Sequence, residues 1–500
     1  MPPKRAFTGS ARPSKKRKTA VADGSNEAVL LADVTALLAS TSLDTAPASP
    51  APLPDLQTPL PLTISTLSST GDGLALHHNR VYTIPFTAPG DVVLAKPYKH
   101  HETHTLTDIV SITTPSPLRE GIVPKCKYFS VCGGCQFQHL PYSYQLEHKR
   151  HIIEKAYTNF SGLDPQRIPP VGETIASPRE YGYRTKLTPH FDAPPNARRD
   201  RKAGREVKWD KAPPIGFMQK GTRKTMDIEE CPIATAAVQI GLTKERERVQ
   251  AHLGEFKRGA TLLIRESSSL RDSGQEGETP PNAESSHSET VIEDTTLVKT
   301  YITDSNATST EYIDGYRFDN PAGSFFQNNN SILPLVTMYI RSRILTPGVD
   351  LLIDAYCGSG FFTITLSQIF SKTLGIDISP QSITSAERNA VLNNLPSTAA
   401  RFISADANKL FDEVDGFDPE KTAVVIDPPR KGCDVGFMRQ LIKFAPQRIC
   451  YVSCNVHTQA RDVGLLVGEG GYQIESLVGF DFFPQTGHVE GVAILQRRAV

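Results

Sequence analysis

The stretch Leu351-Leu352-Ile353-Asp354-Ala355-Tyr356-Cys357-Gly358-Ser359-Gly360-Phe361 decides the fold. A short apolar run ending in an acid and entering a glycine-rich turn reads as a buried strand that delivers the chain to a ligand. Glycines let the backbone approach a ligand where side chains would collide. The pattern recurs downstream. Thr373 to Ile378, Ala423 to Ile426 and Ile449 to Val452 are further apolar strands, with helical stretches between them. Residues 331–500 are therefore expected to form an α/β domain with a Rossmann-like, doubly wound, mainly parallel sheet. The full G-x-G-x-x-G is missing, which disfavours a dinucleotide. About twenty residues on, Asp377 ends the second strand, where a carboxylate accepts ribose hydroxyls. Gly turn, Asp377, Asp406 and Asp427-Pro428-Pro429 together describe an S-adenosylmethionine pocket, with another nucleotide as the alternative.

The next strand ends in Ser453-Cys454-Asn455, and Gly487-His488-Val489-Glu490 follows. An isolated strand-end cysteine is ordinarily a buried core residue, and an isolated glutamate a surface carboxylate. Placed beyond a methyl-donor pocket, the pair suits methylation of a pyrimidine carbon. Carbon 5 of uracil is too weak a nucleophile to attack a sulfonium methyl. A thiolate adding to carbon 6 moves electron density to carbon 5. After transfer, a base must remove the carbon 5 proton before the thiolate leaves. Cys454 suits the first role and Glu490 the second, while Cys357, Cys433 and Cys450 read as structural. Methylation of an amino group through Asp427-Pro428-Pro429-Arg430 is a rival that leaves Cys454 without a role.

These motifs, together with Ala460-Arg461-Asp462, Lys431-Gly432 and Phe325-Phe326-Gln327-Asn328-Asn329, resemble the RNA uracil-C5 (5-methyluridine) methyltransferases. The likeness covers roughly residues 57–265 and 312–500. It implies cofactor contacts at Gln327, Tyr356, Asp377, Asp406 and Asp427, with Cys454 as nucleophile and Glu490 as proton acceptor. There are two departures. Val456 follows Asn455 where the family usually has proline, which loosens a loop, and Phe361 stands where a polar residue is frequent, which removes a possible cofactor contact.

Residues 118–330 are expected to form a central α+β domain. In it, Cys126, Cys132 and Cys135 form a compact group, and Cys231 is a candidate fourth ligand. Four thiolates hold zinc or an iron–sulfur cluster, and spacing alone does not choose between these and free thiols. The resemblance implies a 4Fe-4S cluster. Residues 57–117 combine short apolar strands with the turn signals Gly71-Asp72-Gly73 and Pro89-Gly90-Asp91, a small β-barrel. They resemble the family's OB-like, RNA-binding TRAM module. Residues 196–224 contain ten Lys/Arg, three Asp/Glu and Trp209, with Phe217, and read as an RNA contact or a solvated loop. Arg184, in Tyr183-Arg184-Thr185-Lys186, also matches a family segment and is expected to face the RNA.

Formal net charge is zero, so affinity for RNA must come from local patches. Hydrophobic (39%) and charged (22%) fractions are those of a globular protein. No apolar run is long enough to span a membrane, and the basic N-terminus lacks a secretory core. Residues 1–56 read as a disordered tail, apart from a short amphipathic helix over 27–39. Lys4-Arg5 and Lys15-Lys16-Arg17-Lys18 form a bipartite pattern for nuclear import, with cytoplasm or mitochondrion as alternatives. A Ser-, Glu- and Gly-rich insert over 266–297 reads as disordered. A monomeric enzyme acting on the T-loop uridine of tRNA is expected. Ribosomal RNA is the alternative substrate, and a non-catalytic RNA-binding or chaperone protein the alternative of another class.

Overall fold

The computed structural model describes residues 24–41, 53–272, 287–292, 295–405 and 414–498. The C-terminal unit is a seven-stranded sheet. Its strands are β1 (Leu351–Ala355), β2 (Lys372–Asp377), β3 (Ala400–Ser404), β4 (Thr422–Ile426), β5 (Arg448–Ser453), β6 (Tyr472–Phe480) and β7 (Glu490–Arg497). Their order is β3-β2-β1-β4-β5-β7-β6. β1 to β5 pair in parallel, and β7 runs antiparallel to both neighbours. The apolar runs are nearly continuous because both faces are covered. Ile353, Val424 and Ile449 face one core, and Leu352, Val425 and Cys450 face the other, as the period of two requires. Gly375 on β2 is a packing requirement, since a Cβ there would lie 2.6 Å from the Phe402 ring.

Residues 60–114 form a six-stranded mixed sheet around Leu62, Ile64, Ala75, Tyr82, Ile84, Val93 and Ala95. The helix expected over 27–39 within the N-terminal tail is present and docks on this sheet. Asn26–Thr41 is a helix (α1) whose Val34 is fully buried against Leu74 and Val81. The two basic clusters lie outside the described residues.

The expectation of a disordered insert is corrected at both ends. Ile264–Asp272 and Thr295–Ile302 pair antiparallel in a four-stranded sheet that also includes His287–Ile292. Serines and acids read as solvated, but here they are paired. Arg265 and Glu266 are buried, and they bind Glu311 and Lys299, each at 2.5 Å.

Helix α2 (Tyr142–Phe160) packs against the catalytic sheet, and Lys149 on it donates to Asp481 at 2.5 Å and to Phe483 O at 3.1 Å. Both charged side chains are wholly buried. This pair fastens the segment that leads into Glu490. Lys149→Met leaves the Asp481 charge buried and uncompensated. It should cost about 3–5 kcal/mol in urea unfolding, with much of the loss recovered in Lys149→Met/Asp481→Leu.

Candidate active site

The parallel strands deliver their carboxyl ends to one edge of the sheet. Tyr356 to Gly360 follow β1, Asp377 ends β2, Asp427 follows β4 and Cys454 follows β5. β7 is reversed, so its first residue, Glu490, reaches the same edge. Ser453 pairs with Gly491, which sets Cys454 beside Glu490. Gln327, Tyr356, Asp377, Asp427, Cys454 and Glu490 all line one cavity of about 1390 Å³. Asp406 lies outside the described residues.

The turn after β1 is shaped for a ligand. Tyr356, Gly358 and Gly360 have positive φ (66°, 55° and 88°). Asp377 accepts from Gly358 N at 3.0 Å and Ser379 N at 2.8 Å. A Cβ at Gly358 would meet nothing within 4 Å, so the open space lies beside this carboxylate. Phe361 is 8% exposed and packs with Phe318, Phe326 and Phe362, so the polar residue's place is filled by core packing.

The site is crowded with acid. Asp354 is buried, accepts from Thr363 N and Oγ1, and is pushed up to about 7 by burial. Burial, then the charge of Asp354, raises Asp427 to about 7. Glu490, 3% exposed, is held well above the usual carboxylate range by burial and then by Asp427. Burial, Glu490 and Asp427 push the Cys454 thiol up to about 12. Arg430 opposes both of the last two shifts. Burial and the neighbouring acids oppose ionisation of both the thiol and the carboxyl. A cation bound beside Asp427 favours both ionised forms.

The loop carrying Arg430 is fastened from α3 (Val456–Gly468). Asp462 accepts from Cys433 N at 2.8 Å and from Tyr451 OH at 2.6 Å. Arg461 donates to Lys431 O at 3.1 Å. Asn455 caps α3 through His457 N and donates Nδ2 to Arg430 O at 2.9 Å. Val456 occupies the first helical position, where proline's missing N–H would be no loss, and its side chain is 3% exposed.

The four cysteines Cys126, Cys132, Cys135 and Cys231 line the same cavity. Burial, with the neighbouring cysteines adding, pushes Cys135 up to about 12 and Cys231 to about 11. Among the described residues no group of three or more His, Cys, Asp or Glu side chains is placed to hold a metal ion. Arg184 also faces this cavity, and its Nε donates to Lys186 O at 3.0 Å. The Trp209 Nε1 donates to Phe256 O at 2.8 Å and its ring packs near Phe191. Phe217 is partly buried and lines the cavity.

Sequence reasoning left Arg430, Asp354 and Asn455 without roles. The signal for Arg430 was a cation between an acid and a thiol. Nothing local marked Asn455.

A glycine turn, a strand-end carboxylate and a thiol–carboxyl pair on a Rossmann-like sheet define a nucleotide-type methyltransferase site. Comparisons agree. Residues 293–498 match the family model for tRNA (uracil-5-)-methyltransferase. The chain is 41% identical to the Schizosaccharomyces pombe tRNA (uracil(54)-C(5))-methyltransferase, over 97% of this chain and 86% of that protein. It is also 41% identical to the Saccharomyces cerevisiae protein of that name, over 86% of this chain and 72% of the relative. The solved Pyrococcus abyssi tRNA (uracil-54, C5)-methyltransferase in complex with S-adenosyl-L-homocysteine shares the fold. It has a TM-score of 0.61 and 24% identity, over 87% of this chain and all of that one. The chain belongs to the tRNA (uracil-5-)-methyltransferase family.

The raised Cys454 thiol has a direct consequence. In the ligand-free protein, iodoacetamide should label Cys454 at pH 8 about a thousandfold more slowly than an ordinary thiol. The rate should climb with pH beyond 9, and Arg430→Gln should slow it further. Mass spectrometry of the Cys454 peptide reads the outcome.

Proposed function

We propose that this protein methylates carbon 5 of uridine 54 in tRNA, using S-adenosylmethionine. The observation that carries the reading is the placement of Cys454 beside Glu490 at the cavity edge. The residues fit the cofactor: an open space beside Gly358, and the Asp377 carboxylate at the strand end. Gln327, Tyr356, Asp377 and Asp427 would hold it, with Asp406 as a further polar contact. When bound, S-adenosylmethionine supplies an electrophilic methyl group on a sulfonium sulfur.

Arg430 favours the Cys454 thiolate, whose Sγ forms a bond to carbon 6 of the uracil. The ring's π electrons move to carbon 5 and oxygen 4, and carbon 5 takes the methyl group as the methyl–sulfonium bond breaks, its electron pair staying on sulfur as a neutral thioether. Glu490 then removes the carbon 5 proton, the carbon 5–carbon 6 double bond re-forms, and the Sγ–carbon 6 bond breaks with its electron pair returning to sulfur. Raised basicity suits Glu490 to that acceptance. The uracil must be swung out of its stack to present its face to Cys454.

We also propose that Cys126, Cys132, Cys135 and Cys231 hold a 4Fe-4S cluster; what supports it is that the four thiols line one cavity and lie near enough to shift one another. Its role is structural, since methyl transfer moves no electron to or from the protein. The sheet of residues 60–114 supports a TRAM-like RNA-binding role, and the basic clusters before residue 24 support nuclear delivery.

Unmodified tRNA transcript incubated with labelled S-adenosylmethionine should yield 5-methyluridine at position 54 after nuclease digestion, and a uridine-to-cytidine change there should abolish it. Cys454→Ala should lower the rate at least about 10³-fold. Glu490→Gln should accumulate a methylated protein–RNA adduct on natural tRNA, whereas normal release of product would remove Glu490 from the base role. Anaerobically purified protein should show a broad visible absorbance that Cys135→Ala diminishes, and stoichiometric zinc without iron would contradict the cluster.

A further inference from the structure

The N-terminal segment meets the catalytic loop directly. Asn455, the residue after Cys454, uses its two Nδ2 protons on two carbonyls: Arg430 O at 2.9 Å and Gly24 O at 3.1 Å. The approach is close enough to demand glycine. Gly24 has φ +68°, and a Cβ there would lie 2.5 Å from Thr458 Cγ2. Thr458 cannot turn aside freely, because its Oγ1 donates to Arg430 O and Asn455 O.

From Gly24 the chain enters α1, which is pinned to other parts of the molecule. Val34 is buried against Leu74 and Val81 of the N-terminal sheet. Asp33 is 4% exposed, accepts from Ser69 N at 2.6 Å and Ser69 Oγ at 3.2 Å, and lies 3.6 Å from Lys155 Nζ on α2. α2 in turn packs along α3, which begins immediately after Asn455. Residues 24–41 therefore run from the N-terminal sheet to the residue beside the nucleophile.

We propose that Gly24–Thr41 is a strap that positions the Cys454 loop, with the Gly24 carbonyl and Asn455 as its positioning contact. This rests on the reading of Cys454 as the nucleophile. Asn455 Nδ2 spans the strap and the Arg430 loop, so it sets the distance between the group that favours the thiolate and the thiol itself. Val456, at the first helical position, leaves φ free where a proline would fix it, and the strap supplies the missing restraint from outside the loop. The N-terminal sheet is thereby joined to the catalytic loop by a route independent of the chain that links them in sequence.

Two variants test this in the full-length protein. Gly24→Ala drives a methyl group into Thr458 while leaving α1 on the sheet. Val34→Asp lifts α1 off the sheet. Hydrogen exchange of residues 456–458 is read in the free protein. The single-turnover methylation rate at saturating tRNA is read separately from the tRNA dissociation constant. Loss of a contact of this kind should speed exchange and slow the single turnover by about tenfold each, with affinity for tRNA changed less than about twofold. Exchange and rate like those of the wild type in both variants would overturn the strap, as would a loss confined to melting temperature. Were the wild type to make no 5-methyluridine, the reading of Cys454 would fall. Faster exchange in Gly24→Ala would still uphold the strap.

Discussion

One antiparallel pairing governs the site. β7 enters the sheet against the direction of β5, with Ser453 opposite Gly491. A parallel β7 would place its first residue at the far end of the sheet, away from every group that follows β1, β2, β4 and β5. Reversal instead sets the Glu490 carboxyl next to the Cys454 thiol. The rest of the molecule serves that pairing. Lys149 and Asp481 fasten the chain that leads to it, and Gln136 accepts from Gly487 N at 3.0 Å just before it.

The electrostatics follow from the same geometry. Burying Asp354, Asp427, Glu490 and a thiol at one edge raises all four above their ordinary values. Each of these shifts opposes ionisation of its group. Among the described residues Arg430 is a cation that opposes the shifts of both Cys454 and Glu490. A cationic ligand beside Asp427 would add to the effect of Arg430, which links binding in the pocket to activation of the nucleophile. The bonds from Asp462, Arg461 and Asn455 to the Arg430 loop matter for that reason.

The sheet was readable because β1, β4 and β5 carry the short apolar runs 351–353, 423–426 and 449–452, a pattern that two-sided burial requires. Cys454 and Glu490 were readable from their chemistry beside a methyl-donor pocket. Other features were not. The strands at 264–272 and 295–302 are rich in Ser, Thr and charge, and their burial depends on partners such as Glu311 that lie far along the chain. The anchoring of Trp209, whose indole N–H donates to Phe256 O, had no local signal. The docking of Gly24 on Asn455 joins residues too far apart in sequence for any local pattern to mark.

The central claim is that Cys454 bonds to carbon 6 of a tRNA uracil and that Glu490 releases it by taking the carbon 5 proton. It is tested most directly with tRNA transcript carrying 5-fluorouridine, where carbon 5 has no proton to give. With S-adenosylmethionine present, intact mass spectrometry should show a stable protein–RNA adduct that includes one methyl group and maps to Cys454. No adduct, or an adduct that persists in Cys454→Ala, would contradict the account.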